Sequence, residues 1–227
     1  MVRTLDSIET IGVVGAGTMG SGIAQVAAQS GYDVVMRDVK AEFVDNGFDT
    51  IEDSLDRFVS KDTLSEAEAE ATLDRIAGTT DLGDLADCDV VIEAAVEDME
   101  IKQDIFADLD EAVPEDVVLA TNTSTLSITT IAAATDRERQ VVGLHFMNPV
   151  PVMKGVEVVV GEKTDDEVTE FAHALAEDLG KETWESDDKP GFVTNRILMP
   201  WLNEGIRAYD EGVASKEDVD KGMKLGT

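Results

Sequence analysis

Glu9-Thr10-Ile11-Gly12-Val13-Val14-Gly15-Ala16-Gly17-Thr18-Met19-Gly20 is the stretch whose reading decides the fold. The first six residues form a short apolar strand that runs straight into G-x-G-x-x-G over Gly15 to Gly20. In this pattern the first glycine permits a tight turn and the second lets backbone approach a pyrophosphate. The third lets the next helix pack on the sheet. A helix is predicted from Ser21 to Ser30, with Ile23, Val26 and Ala27 on one face and Gly31 as its stop. The free N–H groups and positive dipole end at its start suit phosphate. A second strand, Asp33 to Met36, leads to Asp38, 21 residues past Gly17. A carboxylate there bonds an adenosine ribose and repels a 2′-phosphate, so NAD is favoured over NADP; Arg37 beside it weakens that preference. Gly15, Ala16, Gly17, Thr18, Met19, Gly20 and Asp38 are the expected cofactor contacts. Glycine-rich turns alone are common. The strand before, the helix after and the acid at the second strand end give this one its specificity.

Outward from this unit, helical and strand-like patterns alternate, which places the chain in the α/β class. Ala41 to Ser60 and Ser65 to Ile76 read as two helices, more than a minimal crossover requires. A helical hairpin projecting from the sheet, about residues 41–76, is the expected result. On it Ser54, Arg57 and Lys61 share a face, read either as solvated charge or as contacts for a phosphate-bearing ligand. Asp89 to Ala94 is a buried parallel strand, followed by the loop Val96-Glu97-Asp98 and a helix from Met99 to Ala112. Lys102 lies in that helix's first turn, where a cation opposes the dipole and calls for an anionic partner, a neighbouring Glu97 or Asp98 included. Val117 to Ala120 is another strand, with Thr121-Asn122-Thr123-Ser124-Thr125 at its carboxyl end. Ser127 can cap a helix from Ile128 to Ala134, leaving Ser124 and its neighbours for ligand contact.

A second centre lies in Gly143-Leu144-His145-Phe146-Met147-Asn148-Pro149-Val150-Pro151-Val152-Met153-Lys154-Gly155-Val156-Glu157. An apolar strand, Val141 to Leu144, ends at His145, one of 2 histidines. Pro149 and Pro151 force an extended turn, and a second apolar run from Gly155 to Val160 carries Glu157. An imidazole and a carboxylate on strands joined by a stiff loop can be a base and the group that orients it. A core histidine beside a strand-surface glutamate is the plain alternative. His173, in a helix from Asp165 to Leu179, reads as a surface residue; Lys181 to Glu185 can add an edge strand. The break at Ser186 to Gly191 ends a first domain, residues 1–187. Residues 188–227, helical from Phe192 to Tyr209 and from Lys216 to Leu225, begin a second domain that cannot form a core by themselves.

Composition bounds the partners. Eighteen Lys and Arg against 49 Asp and Glu give a net charge of −31, which excludes a nucleic-acid surface. The acids lie on helix faces, and 43% hydrophobic content argues for a folded chain. Such a surface fits a halophile's protein, because in molar salt the screening length falls to about 3 Å and self-repulsion fades. No run reaches the roughly 18 apolar residues of a membrane span. The N-terminus has no basic-then-apolar leader, and the single cysteine, Cys88, reads as a reduced core thiol, so a cytoplasmic location is expected.

Taken together the motifs resemble the short-chain L-3-hydroxyacyl-CoA dehydrogenases, including the 3-hydroxybutyryl-CoA dehydrogenases. The resemblance rests on Gly15 to Gln25, Val91 to Asp98, Lys102 to Phe106, Thr121 to Ser124, Gly143 to Lys154 and Pro190 to Arg196. It continues through Asn203-Glu204, Ala214 to Asp220 and Met223 to Gly226, nearly the whole chain. It implies a Rossmann-like, doubly wound, mainly parallel sheet followed by the start of an all-helical domain. It implies NAD as cofactor, an acyl-CoA thioester as substrate as in fatty-acid β-oxidation, and a homodimer where the helical domain is complete. His145 would take the proton from the 3-hydroxyl as hydride leaves C3, with Glu157 steadying the imidazolium. Ser124 and Asn195 would hold the oxygen-bearing end of the thioester, and Asn148 the nicotinamide side. Glu97, Lys102 and Ser124 match cofactor-contacting positions, and Ser54, Lys61 and Ser124 substrate-contacting ones. No metal is implied. Two departures stand out. The His-Pro-Met-Gly-Pro stretch expected beyond Gly226 is absent, so the helical domain is expected to be incomplete in these residues. Gly155 stands where the family has a large apolar residue, which predicts a looser strand around Glu157. A dehydrogenase acting on a free hydroxy or sugar acid, and a dinucleotide-binding protein without turnover, are the other readings the motifs admit.

Overall fold

A computed structural model describes residues 2–226. The short apolar runs become eight strands: β1 (Thr10–Val14), β2 (Asp33–Arg37), β3 (Ile76–Thr79), β4 (Val90–Glu93), β5 (Val118–Thr121), β6 (Val141–Phe146), β7 (Gly155–Val160) and β8 (Glu182–Asp187). They form one sheet in the order β3-β2-β1-β4-β5-β6-β7-β8. β3 through β6 in that order pair in parallel, β7 runs antiparallel to β6, and β8 is parallel to β7. Every residue of β4, β5 and β6 is buried, as strands covered by helices on both faces must be. The strand order reverses between β1 and β4, and that switch point opens a crevice at the carboxyl ends of the strands.

The longer periodic segments form α1 (Thr18–Gln29), α2 (Ala41–Ser60), α3 (Glu66–Leu73), α4 (Met99–Ala112), α5 (Ile128–Ala132), α6 (Asp166–Asp178), α7 (Thr194–Asp210) and α8 (Lys216–Gly226). One core, with Ile23, Met36, Ile51, Leu55, Val168 and Leu175, holds α1, α2 and α6 to one sheet face. The other, with Leu85, Phe106, Leu109, Ile131 and Phe192, holds α4 and α5 to the opposite face. The sheet is therefore doubly wound.

The hairpin of α2 and α3 is anchored to the sheet through Val44, Ile51 and Leu55, while its far end at Ser60 to Thr63 is exposed. α3 starts at a capping box, with Ser65 Oγ accepting from the Glu68 N–H and the Glu68 carboxylate accepting from the Ser65 N–H. It stops at Leu73, short of the expected Ile76, and residues 76–79 add the edge strand β3. Gly78 makes that strand fit: a Cβ there would lie 2.5 Å from Val44 Cγ1 and 2.7 Å from Phe48 Cε2 of α2. His173 is not the surface residue expected. It is half-buried between α6 and β8, with Nδ1 2.8 Å from Thr183 Oγ1. Cys88 is buried, and burial pushes its thiol up to about 12. Neither α7 nor α8 buries a residue, and Ile197, Met199, Leu202, Ile206 and Tyr209 of α7 are exposed.

Candidate active site

The glycine-rich turn closes the crevice from one side, and sterics decide two of its glycines. Gly15 takes φ +103°, where a Cβ would stand 2.7 Å from the Ala94 carbonyl oxygen. A Cβ at Gly20 would fall 1.7 Å from the Gly15 carbonyl oxygen, so only glycine lets α1 start this close to the turn. A Cβ at Gly17 would meet nothing within 4 Å, because that position faces the open cleft. Gly17 is also the N-cap of α1 and supplies no side-chain acceptor, which leaves first-turn N–H groups aimed at the cleft. Asp38 is fixed to the turn: its carboxylate accepts from the Ala16 N–H and from the Val39 N–H, both at 2.7 Å. The cleft, about 660 Å³, is lined by the turn from Val14 to Met19, by Arg37 to Val39, and by Ala94 to Val96 and Ile101. A backbone cradle, an uncapped helix start and an acid at the second strand end fit a dinucleotide.

The second centre forms by strand pairing. His145 stands directly opposite Glu157 in the antiparallel β6–β7 ladder, so both side chains leave the same face. Nδ1 of His145 lies 3.0 Å from Glu157 Oε2, with both side chains buried. The other carboxylate oxygen accepts from the Val193 N–H at 2.7 Å and the Thr194 N–H at 3.3 Å. Burial opposes the charge on Glu157, but the hydrogen bonds from His145, Val193 and Thr194 outweigh it and hold the carboxyl below its ordinary range. The N–H groups are delivered by a strained turn: Gly191 at φ +78° and Phe192, a non-glycine, at φ +49°. The Phe192 ring meets the imidazole edge-on at 6.0 Å between centroids. Nε2 of His145 has no hydrogen-bond partner among the described residues.

A network joins the two centres. Glu97 Oε1 accepts from Thr123 Oγ1 at 2.6 Å, from the Ser124 N–H at 2.8 Å and from the Thr125 N–H at 3.2 Å. Burial works against its charge, and these bonds, with Lys102 nearby, lower its pKa on balance. Asn195 Nδ2 donates to the Ser124 carbonyl at 3.0 Å, so Ser124 is held from β4's loop and from α7 together. Lys102 is placed differently from the expectation that it faces the cofactor. Only 1% of its side chain is exposed, and Nζ donates to the fully buried Glu93 at 2.6 Å and lies 3.7 Å from Glu97. Glu93 also accepts from Thr121 Oγ1 and from the Ala95 N–H, both at 2.7 Å.

The remaining expected residues are spread more widely. Asn148 is exposed just past β6, Ser54 half-buried on α2, and Lys61 exposed at the hairpin's tip. The loop after β6 rests on α1, where a Cβ at Gly22 would come within 2.9 Å of Val150 Cβ, and buried Lys181 braces it by donating to the carbonyls of Val150 and Met153. The strand around Glu157 is not loosened by Gly155, as its small size predicts. Trp184 of β8 fills the space, its ring atoms 2.7 and 2.8 Å from where a Gly155 Cβ would sit. Lys181 and Trp184 lie outside every motif read from the sequence, while Glu93 and Phe192 fall inside Val91 to Asp98 and Pro190 to Arg196 but carried no assigned role; an acid within an otherwise apolar strand was the readable signal at Glu93.

The crevice and the dyad define a nicotinamide-dinucleotide enzyme. Residues 10–188 match the family model for the 3-hydroxyacyl-CoA dehydrogenase NAD binding domain, and residues 191–227 the model for the 3-hydroxyacyl-CoA dehydrogenase C-terminal domain. A probable 3-hydroxybutyryl-CoA dehydrogenase of Deinococcus radiodurans is 53% identical over 215 residues, covering 95% of this chain and 77% of that protein. The human mitochondrial hydroxyacyl-coenzyme A dehydrogenase is 42% identical over 229 residues, covering 96% and 72%. The crystal structure of an (S)-3-hydroxybutyryl-CoA dehydrogenase from Ralstonia eutropha superposes with a TM-score of 0.93 at 47% identity, covering 97% of this chain and 78% of that one. The chain belongs to the 3-hydroxyacyl-CoA dehydrogenase family. It is an NAD-dependent oxidoreductase with a Rossmann-like domain followed by helices of the family's C-terminal domain. Among the described residues no helix is long and apolar enough to cross a membrane.

Proposed function

We propose that the chain oxidises L-3-hydroxyacyl-CoA thioesters of the 3-hydroxybutyryl type to 3-ketoacyl-CoA, and runs the reverse, with His145 as general base and acid. The observation that carries this is the 3.0 Å contact between His145 Nδ1 and a fully buried Glu157 that two backbone N–H groups already hold ionised. Nδ1 then carries the proton and Nε2 keeps its lone pair. Bound NAD supplies the acceptor for the hydride that leaves C3. His145 Nε2 takes the 3-hydroxyl proton as that hydride leaves, and Glu157 stabilises the imidazolium without moving. Ser124, fixed by Glu97 and Asn195, presents its hydroxyl to the substrate oxygens, with Asn195 alongside. Gly15 to Gly20 and Asp38 hold the adenosine diphosphate, and Asn148 and Glu97 the nicotinamide half. Ser54 and Lys61 bind the coenzyme A moiety from the hairpin.

The division falls at 187/188, with residues 1–187 binding NAD and 188–227 entering the substrate and dimerisation domain. The exposed apolar side chains of α7, Ile197, Leu202 and Ile206 among them, support a homodimer through that domain. The lone cysteine supports a cytoplasmic site, and 49 acids against 18 basic residues support work in concentrated salt. Equal stability and activity with and without molar KCl would remove the salt reading. Acetoacetyl-CoA should be reduced with NADH, and free acetoacetate poorly. Equal rates on the two would favour an enzyme for free hydroxy acids, and NADH binding without turnover of either would favour a binding protein.

A further inference from the structure

Arg37 is the one cation that the site as described leaves without a task. Strand alternation puts it on the same face as Val35, the face that carries α4, opposite Met36 and the α1 side. There it lines the nucleotide cleft. Its Nε is buried with no partner, and among the described residues its guanidinium makes no hydrogen bond or ion pair. In a chain with 49 Asp and Glu that is unusual, and leaving a buried charged donor unmade is costly. The neighbouring carboxylate does not answer it, because Asp38 is committed to the Ala16 and Val39 N–H groups. The wall of the same cleft on the α4 side is apolar: Ala95, Val96, Ile101 and Ile105, with Val96 and Ile101 exposed.

A planar cation and an apolar wall lining one cleft suit a flat, π-rich group. Guanidinium stacks on such rings and is only weakly hydrated, so it gains more there than an ammonium does. The dinucleotide has one such group on the Asp38 side of the turn. We propose that Arg37 is an adenine-recognition residue, its guanidinium lying against the purine, with Val96, Ile101 and Ile105 closing the site. This rests on the cleft being the NAD site. A 2′-phosphate is the competing anion for the same cation, but Asp38 beside it repels one.

The test is equilibrium binding, by nucleotide fluorescence or calorimetry, of NADH, NADPH and reduced nicotinamide mononucleotide, which lacks the adenine. Wild type, Arg37→Met and Arg37→Lys are compared, each checked for unchanged melting temperature without nucleotide. The expected result is a loss of about 5- to 20-fold in NADH affinity for Arg37→Met, in keeping with a desolvated cation–π contact. Mononucleotide binding should be unchanged, and Arg37→Lys should recover little. Unchanged NADH affinity, an equal loss for NADH and mononucleotide, or a loss confined to NADPH would each overturn the assignment. Failure of the wild type to bind NADH would instead overturn the cofactor site itself.

Discussion

Two buried acid–base pairs sit near the carboxyl ends of β4 and β6, strands separated by β5, and they are finished differently. At Glu93–Lys102 both partners are engaged by protein groups: the carboxylate accepts from Lys102, Thr121 and Ala95, and the amine also lies 3.5 Å from the Ala95 carbonyl and 3.7 Å from Glu97. At Glu157–His145 the acid is equally saturated, by His145, Val193 and Thr194, but the imidazole keeps one nitrogen unengaged. A pair closed on both sides in the interior works first on the fold, because each partner is already engaged by protein groups. A pair closed on one side alone is poised for proton transfer, since burial is already compensated and the reactive atom stays available. The difference teaches that burial and ionic pairing do not by themselves distinguish the two pairs; the free imidazole nitrogen does, and it is what the proposed proton transfer requires.

Breaking the open pair should have the largest effect. His145→Ala is expected to lower turnover by roughly two to four orders of magnitude with NADH affinity unchanged, read by steady-state rates and fluorescence titration. Unchanged turnover would make both pairs scaffold. Breaking the closed pair should act on stability first. Lys102→Met leaves Glu93 buried and unpaired, at a cost of about 3–5 kcal/mol in denaturant unfolding. Replacing both partners with apolar residues should recover much of that loss; a double variant as unstable as the single one would show that the pair contributes more than mutual neutralisation.

A smaller effect is expected beside the open pair. Gly155→Leu should cost about 1–3 kcal/mol by overpacking against Trp184, and Gly155→Leu with Trp184→Val should regain most of it. The smallest is in the pH dependence. Glu157 is held below its ordinary value near 4.5, so its ionised form stabilises the fold above that value, and the contribution fades as pH falls through the lowered one. Acid unfolding of Glu157→Gln should accordingly show a shallower loss of stability with falling pH than wild type; identical slopes would contradict the bonding drawn around that carboxylate.

Much of this was legible in the chain, for physical reasons. Local sterics wrote the dinucleotide turn into Gly15 and Gly20, where a Cβ would strike Ala94 or Gly15 itself. The boundaries of α2 and α4 follow from helical periodicity and are as expected. The dyad was readable because two apolar strands joined by a proline-stiffened loop place His145 and Glu157 in register. What escaped depends on distant contacts. β3 is four residues whose extended form is set by Val44 and Phe48 packing on Gly78. The half-burial of His173 needs β8 beside it, and Trp184's filling of the space over Gly155 requires the β7–β8 register. Lys102 reads as a first-turn cation in need of an anionic partner, with Glu97 or Asp98 as candidates, until Glu93 is seen 2.6 Å away.

The most direct measurement is of the imidazole itself. With ¹⁵N-labelled histidine, and His173 replaced by Asn to leave one ring, the nitrogen shifts at alkaline pH report which nitrogen holds the proton. The account predicts the Nδ1–H tautomer, with Nε2 bare, and loss of that preference in Glu157→Gln. A proton on Nε2, or a tautomer indifferent to Glu157, would contradict it.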